Sequence, residues 1–242
     1  MTIEVDTHAH SIASLHAYST ITELVAGAKK NGLKGFVLTE HGPALQNGLP
    51  HPYYFGNLSV LPKEIQGVRL FRGVELNIMD GSGNVDLSVK YLKLLDFVMA
   101  GLHEACFAPN SKRENTRAML AALENPYIDC ISHPGNPVYP VDYEEVVKAA
   151  LRFGKALEIN NASFKVRKGS LENCKTIARL AARHGCLVSC GSDAHYWEDV
   201  GNFETARLVM DEAGIDSGRI VNGTMDSFAG FYKRRKAERG AA

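Results

Sequence analysis

Seven short apolar runs of β character, over residues 3–8, 35–40, 69–75, 95–102, 127–132, 155–160 and 187–192, alternate along the chain with amphipathic stretches of helical period. Strand followed by helix, repeated in this way, builds a parallel sheet covered by helices, because each crossover must return the chain to the same end of the sheet. No Pro/Ser-rich linker or shift of composition divides the 242 residues, so one α/β domain spanning 1–242 is expected. The helices carry their own punctuation. Thr20 and Glu23 form a capping-box signature ahead of Leu24, Val25 and Ala28, and Gly32 closes that segment. A second stripe, Leu171, Cys174, Ile177, Ala178 and Ala181, starts after Ser170 and ends at His184 and Gly185.

Charge and cysteine content narrow the class. Lys plus Arg equal Asp plus Glu at 27 each, which leaves no electrostatic footprint for tracking a long nucleic acid. The five cysteines are odd in number and contain no Cys-x-x-Cys pair, so reduced thiols, mostly small core residues, are expected. No apolar stretch reaches the ~20 residues that span a bilayer, and no basic segment leads into one. A soluble cytoplasmic protein is the expectation. The single charge run, Lys233 to Lys236, falls late in a helix carrying Phe228, Phe231 and Tyr232, and reads as surface charge complementing the helix dipole.

The chemistry-bearing residues fall on this map in a pattern. His8 and His10 follow the first run and, by strand alternation, project from one face; His16 lies in the loop just beyond. His41 ends the second run, Glu75 the third, His103 the fourth, His133 the fifth, and Asp193 with His195 the last. Each has an ordinary reading alone: an imidazole capping a carbonyl, or a carboxylate capping the next helix. The coincidence across six strand ends does not, because in a parallel barrel those ends converge on one rim. His51, in a Pro-rich loop, and His184, at a helix end, stay outside the set.

Imidazoles mixed with two carboxylates and no thiolate suit Zn²⁺, with Mn²⁺ or Fe²⁺ as alternatives, better than the all-oxygen shells of Mg²⁺ or Ca²⁺. A catalytic zinc takes about three protein ligands plus water, so nine candidates imply two or three ions with a carboxylate bridging.

The motifs Asp6-Thr7-His8-Ala9-His10, Thr39-Glu40-His41-Gly42-Pro43, Arg72-Gly73-Val74-Glu75, Gly101-Leu102-His103-Glu104, Ile131-Ser132-His133-Pro134, Leu157-Glu158-Ile159-Asn160-Asn161 and Gly191-Ser192-Asp193-Ala194-His195 together resemble the PHP (polymerase and histidinol phosphatase) superfamily, in its YcdX-like phosphatase branch. The resemblance implies a distorted (β/α)7 TIM-like barrel with a trinuclear metal centre at the strand C-terminal ends. It implies one ion on His8, His10, Glu75 and Asp193, a second on Glu75, His103 and His133, and a third on His16, His41 and His195. Glu75, Asp193 and His195 are read as the catalytic set. The family pattern departs at Glu40, where Asp is usual; if that residue orients a ligand, the extra methylene bears on imidazole geometry and metal affinity.

The expected function is hydrolysis of a small phosphomonoester by attack of a metal-bridging hydroxide. Phosphodiester or nuclease activity and a noncatalytic metal-binding module are the alternatives. Ser14, Ser19 and Ser132 read as hydrogen-bonding loop residues, since no nucleophile elbow surrounds them. Asn160, Asn161, Lys112, Arg113 and Arg167, all placed beyond strand ends, are the candidate substrate contacts. A homo-oligomer is compatible with the apolar pattern.

Overall fold

The computed structural model describes residues 1–241; the expected domain ends at Ala242, which lies outside the described residues. The strands are β1 (Val5–Ala9), β2 (Gly35–Leu38), β3 (Glu64–Ile65), β4 (Val68–Asn77), β5 (Phe97–Gly101), β6 (Cys130–Ile131), β7 (Ala156–Asn160) and β8 (Leu187–Gly191). Seven of them, all but β3, pair in parallel in the order β1-β2-β4-β5-β6-β7-β8 and curl into a nearly closed barrel. Every run singled out in the sequence supplies one of the seven. The two-residue β3 is an addition, paired antiparallel with the start of β4. The helices are α1 (Ile21–Lys30), α2 (Tyr53–Asn57), α3 (Val89–Leu92), α4 (Lys112–Glu124), α5 (Tyr143–Arg152), α6 (Ser163–Val166), α7 (Ser170–His184), α8 (Glu204–Glu212) and α9 (Met225–Ala241). Thr20 and Glu23 make the expected capping box on α1, and Gly185 takes the left-handed position that ends α7. Among the described residues no helix is long and apolar enough to cross a membrane.

Strand alternation divides the core in two. Leu70, Val74 and Leu76, Val98 and Ala100, and Leu157 and Ile159 pack outward against Leu24, Met119, Val147 and Ile177 of the helices. The opposite parity faces the barrel interior. At its N-terminal end Val5, Val37, Phe71, Phe97, Met99, Cys130 and Ala156 form an apolar floor, on which Phe228 and Phe231 of α9 sit as a plug. Higher in the barrel the inward positions become polar: Thr7, Glu75, Ser132, Glu158 and Ser189 are all buried. The floor gives way to a site at the C-terminal end.

Within the C-terminal charge run Lys233 and Arg234 are exposed, as the sequence suggests, but Arg235 is not, and neither is Arg239 beyond the run. Arg235 and Arg239 are 4% and 1% exposed. The Arg235 guanidinium donates to Asp129 Oδ1 (3.3 Å) and to the Pro126 and Ile128 carbonyls, while Arg239 donates to the Asp96 carbonyl and lies 3.4 Å from Asp129 Oδ2. Both heads meet the buried Asp129 carboxylate. Asp129 also ties the start of β6 to β5. Its side chain accepts the Val98 N–H at 2.9 Å, taking a bond that the strand ladder would otherwise make.

The seam between β1 and β8 is closed by side chains. Asn222 Nδ2 donates to the Val5 and Cys190 carbonyls, each at 2.7 Å, and its Oδ1 accepts from Cys190 N–H at 3.0 Å. Thr7 and Ser189 hydroxyls meet at 2.6 Å beside it. Above the strands the backbone takes over, with His10 N–H on the Ala194 carbonyl and Asp193 N–H on the His8 carbonyl, both at 2.9 Å. Asn222→Ala would leave the Val5 carbonyl and the Cys190 N–H unpaired, while the Cys190 carbonyl keeps the Thr7 hydroxyl at 3.2 Å, so a loss of about 2 kcal/mol is expected at ~1 kcal/mol or more per group. Urea unfolding checks this; a loss below ~1 kcal/mol would show that the seam does not depend on Asn222.

Candidate metal centre

A break in regularity aims the first candidate ligands. Pairing of β1 with β2 shifts between Asp6 and Ala9, so Val5 joins the barrel floor and His8, three residues on, also faces the interior. Strict alternation forbids that; a bulge permits it. His8 packs where Gly191 leaves room: a Cβ there would lie 2.8 Å from the His8 Cβ and closer still to Glu158. At other strand ends the backbone itself is strained, with His133 at φ 30° and Asp193 at φ 56°. Non-glycine residues hold such angles at a cost of roughly 1–2 kcal/mol, which fits residues fixed for function.

All nine sequence candidates converge. Glu75, fully buried, is the hub: its Oε2 lies 3.2 Å from His8 Nε2, 3.6 Å from His10 Nε2 and 2.9 Å from His41 Nδ1, and its Oε1 lies 3.3 Å from His103 Nε2 and 2.7 Å from His133 Nε2. Asp193 Oδ1 stands 3.4 Å from Nε2 of both His8 and His10. The His16 ring centroid is 4.9 Å from those of His41 and His195. The triads His8/His10/Glu75, His41/Glu75/His103 and His10/His41/His195 each bring three donor atoms within 4.8 Å of one another. His10 and His41 thus each stand between two groups.

The donors are held and left unspent. His8 Nε2, His10 Nε2, His41 Nδ1, both Glu75 oxygens and both His103 nitrogens are buried with no hydrogen-bond partner. Polar atoms do not stay buried and unpaired without cost, and imidazole nitrogens facing carboxylate oxygens are the donor set of a transition-metal site. Burial drives His10 and His41 down, His41 to about 4, and it outweighs the pull of Glu75 on His41 and of Asp193 on His10. Both are therefore neutral and have lone pairs to give. Burial also opposes charge on Glu75 and Asp193, but the surrounding imidazoles, His8 foremost, prevail and hold both carboxyls well below the usual range.

A second layer orients the first. Glu158 Oε1 accepts from His8 Nδ1–H at 2.7 Å, and its Oε2 accepts from the His133 backbone N–H at 2.7 Å and from Asn160 Nδ2 at 3.1 Å. This holds a proton on His8 Nδ1 and aims Nε2 at Glu75 and Asp193. Asn160 also donates to Asp193 Oδ2 at 3.2 Å. Glu40 takes hydrogen bonds from the Ser11 and Ser14 hydroxyls, from Ser11 N–H and from Tyr54 OH. Sequence reasoning gave Glu158 no role, although an acid inside an apolar strand, two residues before Asn160 and so on the same face, was the available signal.

The substrate candidates separate. Arg167 reaches the centre, its Nη1 donating to Ser163 Oγ and lying 3.5 Å from Asp193 Oδ2. Asn160 is spent on Glu158, Asp193 and the Ser163 N–H and hydroxyl, so it supports the ligands and is not free for substrate. Asn161 ties Asn202 and Ala206 N–H together. Lys112 and Arg113 are not brought to the cluster: they line a groove between α4 and α5, where Lys112 pairs with Asp142 at 3.1 Å. A cavity of about 400 Å³ opens instead between Asp193, His195, Asn161, Lys165, Arg167 and Asn202.

The PHP domain matches residues 6–165, and the chain belongs to the PHP-domain family. A probable phosphatase of Thermoanaerobacter sp. (strain X514) is 49% identical over 242 residues, covering 99% of this chain and 98% of its own. A probable phosphatase of Acetivibrio thermocellus is 46% identical over 236 residues, covering 98% of both. Among solved structures, histidinol phosphate phosphatase of Lactococcus lactis, complexed with zinc, L-histidinol and phosphate, superposes with a TM-score of 0.64 at 21% identity over 88% of this chain and 94% of its own. That likeness carries the fold. Asp193 and His195 lie beyond the matched span and join the site through β8.

Proposed function

We propose that this chain is a metal-dependent phosphoesterase that hydrolyses a small phosphomonoester at a centre of three divalent transition-metal ions, zinc being the favoured metal. The observation that carries the reading is the set of buried, unpartnered nitrogens and oxygens facing one another around Glu75. Support comes from the relatives named probable phosphatases and from the zinc and phosphate held by the L. lactis enzyme on the same fold. His8, His10, Glu75 and Asp193 would hold one ion, Glu75, His103 and His133 a second, and His16, His41 and His195 the third. When bound, such ions supply Lewis acidity, which offsets phosphoryl charge and makes water a nucleophile at neutral pH.

The chain's own residues do the positioning. Glu158 and Asn160 fix His8 and Asp193, and so hold two ligand-bearing strand ends at one spacing. The guanidinium of Arg167, anchored on Ser163, is placed to donate charge-assisted hydrogen bonds to a phosphoryl oxygen beside Asp193. His195, its Nδ1–H on the Asp193 carbonyl at 3.0 Å, directs its other nitrogen away from that bond. The adjoining cavity of about 400 Å³ suits a small leaving group. Ser14 is occupied by Glu40 and His10, which removes it as a nucleophile.

With zinc- or manganese-loaded protein, p-nitrophenyl phosphate should be cleaved at least about tenfold more efficiently than bis(p-nitrophenyl) phosphate, judged by kcat/KM. The reverse preference would make the chain a diesterase. No turnover of either, with metal bound, would make it a binding module.

A further inference from the structure

Glu40 stands within two bonds of the metal ligands without touching one. It is fully buried, and its carboxylate is surrounded entirely by donors: the Ser11 N–H at 3.1 and 3.2 Å, the Ser11 and Ser14 hydroxyls, and Tyr54 OH at 3.3 Å. Burial pushes the Glu40 carboxyl up to about 7 despite these donors; above that pH it is a carboxylate, an acceptor only, and the Ser14 proton points to it. Ser14 Oγ then has only lone pairs left, and two donors meet them: His10 Nδ1 at 3.2 Å and the His41 backbone N–H at 3.3 Å. That pattern places the His10 proton on Nδ1. It leaves the buried, unpartnered Nε2 bare toward Asp193 and Glu75.

We infer that Glu40 is a positioning residue that sets the tautomer of His10 through Ser14, so that Nε2 is open to a metal ion. The inference rests on the metal-centre reading above but concerns a proton that is present without metal. The sign of the charge at position 40 is what matters. An amide there can turn its NH2 toward Ser14; the hydroxyl then donates to His10 Nδ1, and the imidazole proton moves to Nε2, where it blocks the ligand position. The same carboxylate fastens the loop from Ser11 to Ser14, which leads directly into His16, and the residue it occupies adjoins His41. One side chain therefore sets the proton of one candidate ligand and the placement of two others.

The experiment compares wild type, Glu40→Gln, Glu40→Asp, Ser14→Ala and the Glu40→Gln/Ser14→Ala double variant. The first readout is ¹⁵N NMR of the His10 ring in metal-free protein; the second is zinc affinity by chelator competition. Wild type should show the Nδ1–H form. Glu40→Gln should shift His10 toward Nε2–H and weaken zinc binding by about 10- to 100-fold, with Ser14→Ala equally weakened and the double variant no worse than either. Glu40→Asp, which keeps the charge, should retain the Nδ1–H form and recover most of the affinity. An unchanged tautomer in Glu40→Gln, or Glu40→Asp no better than Glu40→Gln, overturns the relay. Wild type that takes up no zinc overturns the metalloenzyme reading instead, and the metal-free tautomer still decides for or against Glu40.

Discussion

Glu75→Gln should lower kcat/KM on a phosphomonoester by about three orders of magnitude, equivalent to roughly 4 kcal/mol of transition-state stabilisation. Five imidazoles lie within 3.6 Å of its two oxygens. Glutamine keeps the length and one acceptor oxygen. It loses the negative charge and turns an NH2 toward nitrogens that already need an acceptor or a cation, so metal content should fall with activity. Elemental analysis and steady-state kinetics on the same preparation check this together. A variant within about tenfold of wild type, with metal retained, would remove Glu75 from the hub.

The same residue shows why much of the site was legible in the sequence. Glu75, His103, His133 and Asp193 each terminate an apolar run, and the barrel topology that gathers strand ends follows from the alternation of runs with helices. What was not legible depends on long-range partners. Glu158 sits in a strand like any buried residue, and only the approach of His8, 150 positions away, gives it work. Asn222 carries no local pattern, yet it closes the barrel between Val5 and Cys190. Lys112 and Arg113 follow His103 closely in sequence, but the helix they begin carries them to a groove with α5. Arg235 was misplaced for a related reason: a charged residue in a run of four reads as solvated unless the carboxylate awaiting it, Asp129, is known.

Metal-free protein should lose stability on mild acidification, by about 1 kcal/mol net between pH 6.5 and 5.5. Burial lowers His10, His41 and His133, and more weakly the half-exposed His16, below the ordinary value of 6.5. In the unfolded chain each titrates near 6.5. As the pH falls through 6.5 the unfolded state therefore binds protons that the native state refuses, and stability declines at about 1 kcal/mol per fully buried group over that unit. Two buried carboxyls offset part of this: burial pushes Asp6 up to about 6 and Glu40 to about 7, so between pH 6.5 and 5.5 the native state takes up protons there that the unfolded carboxyls, at about 4, do not, returning about 1–2 kcal/mol together. His8, held well above 6.5 because Glu158, Asp193 and Glu75 outweigh its burial, contributes stability that is already complete below 6.5 and is lost only as pH rises. Glu75 and Asp193, held well below the carboxylate range, contribute stability that persists until the pH falls under about 4. A net loss of about one proton's share remains. Metal binding to the native state alone adds about 2.7 kcal/mol per ion at a hundredfold excess over Kd, so chelation should lower the melting temperature at every pH, and the acid-induced fall should then appear from a lower start. Thermal melts of chelated protein at pH 7.5, 6.5 and 5.5 test the sign, and His41→Asn should flatten the fall by about one proton's share. A pH dependence between 6.5 and 5.5 that is the same in His41→Asn as in wild type would mean that the imidazole accepts a proton in the folded state. The cluster would then be open to water, and its unpartnered nitrogens would no longer call for metal.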